Sequence, residues 1–169
     1  MYFNTSKRLF LWLSLGMTMT GTSVVVAETD KQGNIEWGRY LVKIAGCNDC
    51  HTPGYTMRDG NVPVSQWLLG DKLGWRGGWG TTYAANLRLF VKDMSEDQWV
   101  HAAKTLKRRP PMPWFNLNAM AEVDLRAIYQ FIKSLGDPGL PAPAYVPPDQ
   151  QPAMPYAQFP SPPPSPPRM

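Results

Sequence analysis

The residues best equipped for chemistry stand together at Cys47-Asn48-Asp49-Cys50-His51. Cysteines three apart put both thiols on one side of a helical turn, and His51, four positions after Cys47, falls on that same side. Each thiol can add to a vinyl group of a porphyrin while the imidazole reaches the central iron from the same face. C-x-x-C-H is therefore an attachment signature for covalent haem, as distinct from the bare C-x-x-C of redox proteins. Other uses of the pair fit less well. A thioredoxin-like site would follow a strand and open a helix, and no βαβ pattern is visible. Zinc needs four ligands, whereas the chain offers two Cys and two His, with His101 far from His51 in sequence. A disulfide across this spacing closes a small strained loop and leaves His51 without a task.

Iron held by one imidazole keeps a second axial position, whose occupant separates electron carriers from gas binders and catalysts. Met112 is the favoured occupant. It lies in Arg108-Arg-Pro-Pro-Met-Pro-Trp-Phe115, where Pro110, Pro111 and Pro113 restrict the backbone and hold the thioether at low entropic cost. Met57 follows His51 too closely to travel round to the other haem face, and Met154 and Met169 lie near the C-terminus. Met120, just before a final helix, is the runner-up and reads as core. His101 falls off the apolar face of its helix and reads as a solvent-facing residue.

Three helices are predicted to position these groups. The first spans about Ile35 to Gly46, with Trp37, Leu41 and Ile44 at helical spacing and Gly38 and Val42 on a neighbouring stripe; it leads directly into the cysteine motif. The second starts at Ser95, which forms a capping box with Gln98, and runs along Trp99, Ala102, Ala103 and Leu106 until Pro110. The third starts near Ala121 with Glu122 and Asp124 in its first turn, carries Leu125, Ile128, Tyr129, Ile132 and Leu135 on one face, and stops at Gly136 and Pro138. Thr52 to Met94, rich in Gly and holding Trp67, Trp75 and Trp79, reads as mostly loop with a short helix near Pro63 to Leu69. So long a loop needs something to pack against, and a porphyrin face would provide it.

Both ends differ from the middle. Met1 to Ala27 has the parts of an export signal: Lys7 and Arg8, the apolar run Leu9 to Leu15, and a small-residue site at Val25-Val26-Ala27. Its removal takes the formal charge from +4 down to about +2, and the remaining cations form no stripe, so nothing calls for a nucleic-acid partner. Asp137 to Met169 holds most of the 18 prolines and reads as an extended, solvated tail unable to join a sheet. The expected organisation is a signal peptide at 1–27, one domain at 28–137 and a Pro-rich disordered tail at 138–169.

The run from Gly38 to Pro53 around the motif, the Met112-Pro113 pair before a final amphipathic helix, and Asp124-Leu-Arg-Ala-Ile-Tyr129 together resemble the mono-haem cytochrome c family, over roughly Ile35 to Gly136. That resemblance implies an all-α cytochrome c fold of a few helices and long loops, in which the first and last helices cross with Gly38 against an aromatic such as Tyr129. It implies haem c attached through Cys47 and Cys50, with His51 as proximal and Met112 as distal iron ligand. It also makes Pro63 the residue whose carbonyl accepts the proton of the far His51 nitrogen. Trp75, Arg76, Trp79 and Arg88 are candidates to bond the propionates. Tyr83-Ala-Ala-Asn-Leu87 and Pro111-Met-Pro-Trp-Phe-Asn-Leu117 look like segments of haem subunits from periplasmic dehydrogenases, although such subunits usually carry several C-x-x-C-H motifs and this chain has one.

With both axial positions filled, little would move when an electron arrives and no place remains for substrate, so the expectation is an electron-transfer protein and not an enzyme. The expected setting is the periplasm, peripheral to a membrane at most, with redox protein partners such as a dehydrogenase or a terminal oxidase. Lys104, Lys107, Arg108 and Arg109 either steer an acidic partner or simply suit a helix C-terminus. The alternative function is a haem-based gas-binding or sensor module with a displaceable distal Met.

Overall fold

A computed structural model describes residues 34–160; the signal-peptide reading of 1–27 and the last nine residues lie outside them. The described chain is mixed: helices joined by long connections, plus one small three-stranded sheet. Helix α1 covers 34–44, followed after a turn at 45–46 by the short α2, Cys47–His51. Two 3-10 turns, Thr56–Arg58 and Val64–Gln66, lead into the hairpin β1 (Gly74–Gly77) and β2 (Gly80–Tyr83). Then come α3 (Leu87–Phe90), α4 (Glu96–Thr105), α5 (Trp114–Ala119), α6 (Glu122–Ser134) and β3 (Tyr156–Gln158). Among the described residues no helix is long and apolar enough to cross a membrane.

The core lies where α1, α4 and α6 meet, built on Leu41, Val42, Trp99, Val100, Ala103, Leu125, Ile128, Phe131 and Ile132. On α1 the buried stripe is Gly38, Leu41 and Val42, while Trp37 and Ile44, which the spacing places inward, are exposed. Close approach explains the choice. A Cβ on Gly38 would stand 2.0 Å from the Ala127 carbonyl oxygen and 2.9 Å from Phe131 Cβ, so α1 and α6 cross there backbone to backbone. The expected pairing of Gly38 with Tyr129 is thereby corrected: Ala127 and Phe131 share a face one turn apart, and Tyr129 lies off it, donating its hydroxyl to the Met94 carbonyl at 2.7 Å. Trp37 is not idle, because its indole N–H donates to Asp124 Oδ1 at 2.8 Å and fixes the same crossing from outside.

Helix α4 begins as its sequence dictates. Ser95 accepts from the Gln98 amide and Gln98 Oε1 accepts from the Ser95 amide, closing both bonds of the capping box. Trp99 donates to the Leu125 carbonyl at 2.7 Å, and Arg126 on α6 pairs with Glu96 and Asp97, so α4 and α6 are locked along one edge.

The sheet departs from the all-α expectation, and its third strand comes from the segment read as a solvated tail. β1 pairs antiparallel with β2 and parallel with β3. Residues 138–160 are thus bonded to the body, although most of them are exposed to solvent. Their prolines cannot donate, but this segment needs few donors because its carbonyls accept from the body: Gly74 N–H to Pro155 at 3.0 Å, Arg76 to Pro148 and Gln150, and Asn86 Nδ2 to Pro138 and Leu140. Phe159 then packs over Trp75 and Trp79.

Candidate haem-binding site

A cavity of about 360 Å³, largely apolar, opens between α1, α2, the hairpin, α4, α6 and the loop before α5. That volume is in the range of sites that enclose a sizeable organic ligand, roughly 300–1,000 Å³. Cys47, Cys50 and His51 all line it, as does Met112. Residues from two distant stretches of sequence thus converge on one space.

His51 is buried, and its Nδ1–H donates to the Ala85 carbonyl at 2.7 Å. The bond fixes ring orientation and tautomer and leaves Nε2 as the nitrogen free for a metal. Burial holds the ring below its ordinary pKa, although the Ala85 carbonyl pulls the other way, so at neutral pH the imidazole is uncharged and has a lone pair to give. Pro63 is not the acceptor: it caps the turn at Val64–Gln66, and the partner is supplied by the loop after β2. A backbone carbonyl carries no side-chain signature, so no sequence signal marked Ala85.

Burial pushes the Cys47 thiol up to about 11, and Cys50 is raised too, by burial first and then by Asp49 and Asp71. Both cysteines are free and uncharged at neutral pH, in partly buried positions. The α2 turn is held from below by Thr52, buried, whose hydroxyl donates to Asn48 Oδ1 at 2.7 Å and accepts from the Leu68 amide at 2.8 Å. Gly70 N–H donates to the His51 carbonyl at 2.8 Å.

The other methionines separate cleanly. Met57 and Met154 are exposed, and Met94 does not line the cavity. Met120 does, while also packing against the core, so the cavity holds two thioethers, of which Met112 belongs to the loop and not to the core. His101 is exposed on α4 and is not part of the lining.

Among the proposed propionate partners only Trp75 lines the cavity. Arg88 is excluded: it is buried and spends its guanidinium on the carbonyls of Ser65, Trp67, Leu135 and Asp137, stapling the Trp67 loop to the end of α6. Arg76 is bound to Pro148, Gln150 and Thr81, and Trp79 packs against Phe159. Arg108 and Arg109, candidate steering or helix-end cations, also line the cavity and bring positive charge to an apolar space.

The residues fit a haem on three counts: two thiols and an imidazole within one five-residue helix facing one cavity, a pinned far nitrogen, and a thioether in the same lining. Among the described residues no three His, Cys, Asp or Glu side chains gather to hold a bare metal ion. No protein-family model, curated protein or solved structure matches the chain.

Proposed function

We propose that this chain is a single-electron carrier of the cytochrome c type, exported to the periplasm, with one haem c attached through Cys47 and Cys50 and ligated by His51 and Met112. The observation that carries the reading is the convergence of both thiols, the pinned imidazole and the Met112 thioether on one apolar cavity. Bound there, haem supplies a one-electron Fe(III)/Fe(II) couple.

The chain's own residues do the rest. Cys47 and Cys50 would hold the porphyrin through thioether bonds, each thiol adding across a vinyl group with its hydrogen going to the neighbouring carbon, a change that needs no oxidant. His51 Nε2 donates its lone pair, and the Ala85 carbonyl keeps the ring from turning. The Met112 thioether, soft and uncharged, favours the reduced state and raises the potential relative to a second imidazole. Val42, Leu87, Phe90, Ile128 and Ile132 keep water from the cavity, while Arg108 and the Trp75 indole N–H are suited to carboxylates at its edge. Redox protein partners, a dehydrogenase or a terminal oxidase, complete the proposal.

Visible spectra of the exported, haem-loaded protein test it. Wild type is expected to show a thioether-to-ferric charge-transfer band that Met112→Ala abolishes, and the reduced protein to react slowly with carbon monoxide. A chain bearing no porphyrin mass after maturation in a haem-competent host overturns the proposal. Rapid, complete carbon monoxide binding by wild type would replace it with a gas-binding function, and survival of the band in Met112→Ala would transfer the ligand role to Met120.

A further inference from the structure

The loop that carries Met112 can do little to hold itself. Of residues 110–113 only Met112 has an amide N–H, because the other three are prolines, and the loop's own closure is the Trp114 amide donating to the Met112 carbonyl at 2.9 Å. Its ties to the body next to Met112 come from elsewhere. Thr82 on β2 donates its hydroxyl to the Pro110 carbonyl at 2.8 Å, and the Arg109 guanidinium lies 3.9 Å from the centre of the Tyr145 ring.

Tyr145 is itself seated with care. Its hydroxyl donates to the Trp79 carbonyl at 2.9 Å, and the next residue, Val146, exchanges both backbone hydrogen bonds with Thr81, at 2.7 and 3.0 Å. Gly80 makes room: a Cβ there would stand 2.5 Å from the Val146 carbonyl oxygen and 2.7 Å from the Tyr145 hydroxyl. Thr81 and Thr82 are neighbours on one strand, so the C-terminal segment and the Met112 loop are clamped to consecutive residues of β2.

We propose that Tyr145 and Thr82 are positioning residues for the Met112 ligand, the C-terminal segment acting as a brace that keeps the thioether on the iron. This rests on the reading of Met112 as the distal ligand. A cation on an aromatic face is worth enough to change the population of a detached loop by roughly two- to fivefold at an exposed site. Exogenous ligands bind only the detached population, so their apparent affinity reports it directly.

The test uses the full-length exported haem protein and carbon monoxide as the probe of the reduced state. Tyr145→Leu and Arg109→Gln should each raise the apparent carbon monoxide affinity by roughly two- to fivefold, and the double variant by no more than the larger single effect, because both remove one contact. Tyr145→Phe, which keeps the ring, should stay close to wild type; Thr82→Val should raise the affinity independently. Should Tyr145→Leu fail to fold, Arg109→Gln, altered at an exposed side chain, carries the same comparison. Affinities equal to wild type in Arg109→Gln and Thr82→Val, or additive effects of Arg109→Gln and Tyr145→Leu, overturn the brace. Met112→Ala separates the two readings: if it loses the charge-transfer band while the brace variants match wild type, only the brace fails, and if it keeps the band, the ligand assignment itself fails.

Discussion

The two parts of the cavity lining that carry chemistry are built in opposite ways. Cys47, Cys50 and His51 come from one helix of five residues, held by groups that all follow it in sequence, Thr52, Gly70 and Ala85. Met112 comes from a proline loop held from both sides of the sequence, by Thr82 before it and Tyr145 after it. The difference teaches that two thiols and an imidazole share one local element, whereas the thioether is brought to them by tertiary contacts. The three groups are neighbours wherever that helix forms, while the thioether's place beside them depends on the hairpin and the C-terminal segment.

The largest break falls on the local side. Cys47→Ala combined with Cys50→Ala leaves the helix and His51 in place but removes both nucleophiles, so the expected outcome is complete loss of covalently added porphyrin mass, checked by intact-mass spectrometry after export. Next comes the frame beneath both parts. In Gly38→Val the new side chain meets the Ala127 backbone, which cannot step aside as a flexible side chain would. Overpacking at a helix crossing of this kind is expected to cost about 3 kcal/mol, a fall in Tm on the order of 10 °C. Both linings should be lost together, because α1 leads straight into α2 and rests on α6.

Thr52→Val makes a smaller and more local break. The hydroxyl serves Asn48 and the Leu68 amide at once, and all three residues are buried. Asn48 Nδ2 already has no partner among the described residues, so losing the Thr52 bond leaves that side chain without any. Leu68 sits at φ 63°, a left-handed conformation costly for a branched side chain, and its amide would lose its acceptor too. The expected loss is about 1–3 kcal/mol by chemical denaturation. It should raise hydrogen exchange around α2 more than around α4.

These contrasts follow what could be seen in the sequence. Helices α1, α4 and α6 and the Ser95 capping box are legible, because periodicity and caps are side-chain properties, whereas the short α3 and α5 are too brief to show a period. The hairpin is not legible either: Gly74–Gly77 and Gly80–Tyr83 hold three glycines in eight residues, and the pairing that makes them strands is supplied partly by Tyr156–Gln158. The same reason hid the packed segment 138–160, whose prolines argue against a strand only if the strand must donate, whereas here it mostly accepts. Ala85 was invisible because its contribution is a carbonyl. Arg88 holds the Trp67 loop to the end of α6 while Arg108 lines the cavity, because burial, which charge and spacing do not report, decides which cation faces it.

The smallest predicted effect bears most sharply on which support the Met112 loop uses. Ser95→Ala removes one cap bond from α4, the helix that leads into that loop, and should cost about 1 kcal/mol. The loss should not travel along the helix, because Trp99 bonded to Leu125 and Arg126 paired with Glu96 and Asp97 still hold the first turns against α6. If the loop is positioned from β2 and the C-terminal segment, Ser95→Ala lowers Tm by a few degrees while carbon monoxide affinity at room temperature stays at the wild-type value. A rise in that affinity matching the one from Arg109→Gln would instead make α4 the support, and the contrast between three groups sharing one helix and a thioether braced by the hairpin and the C-terminal segment would no longer hold.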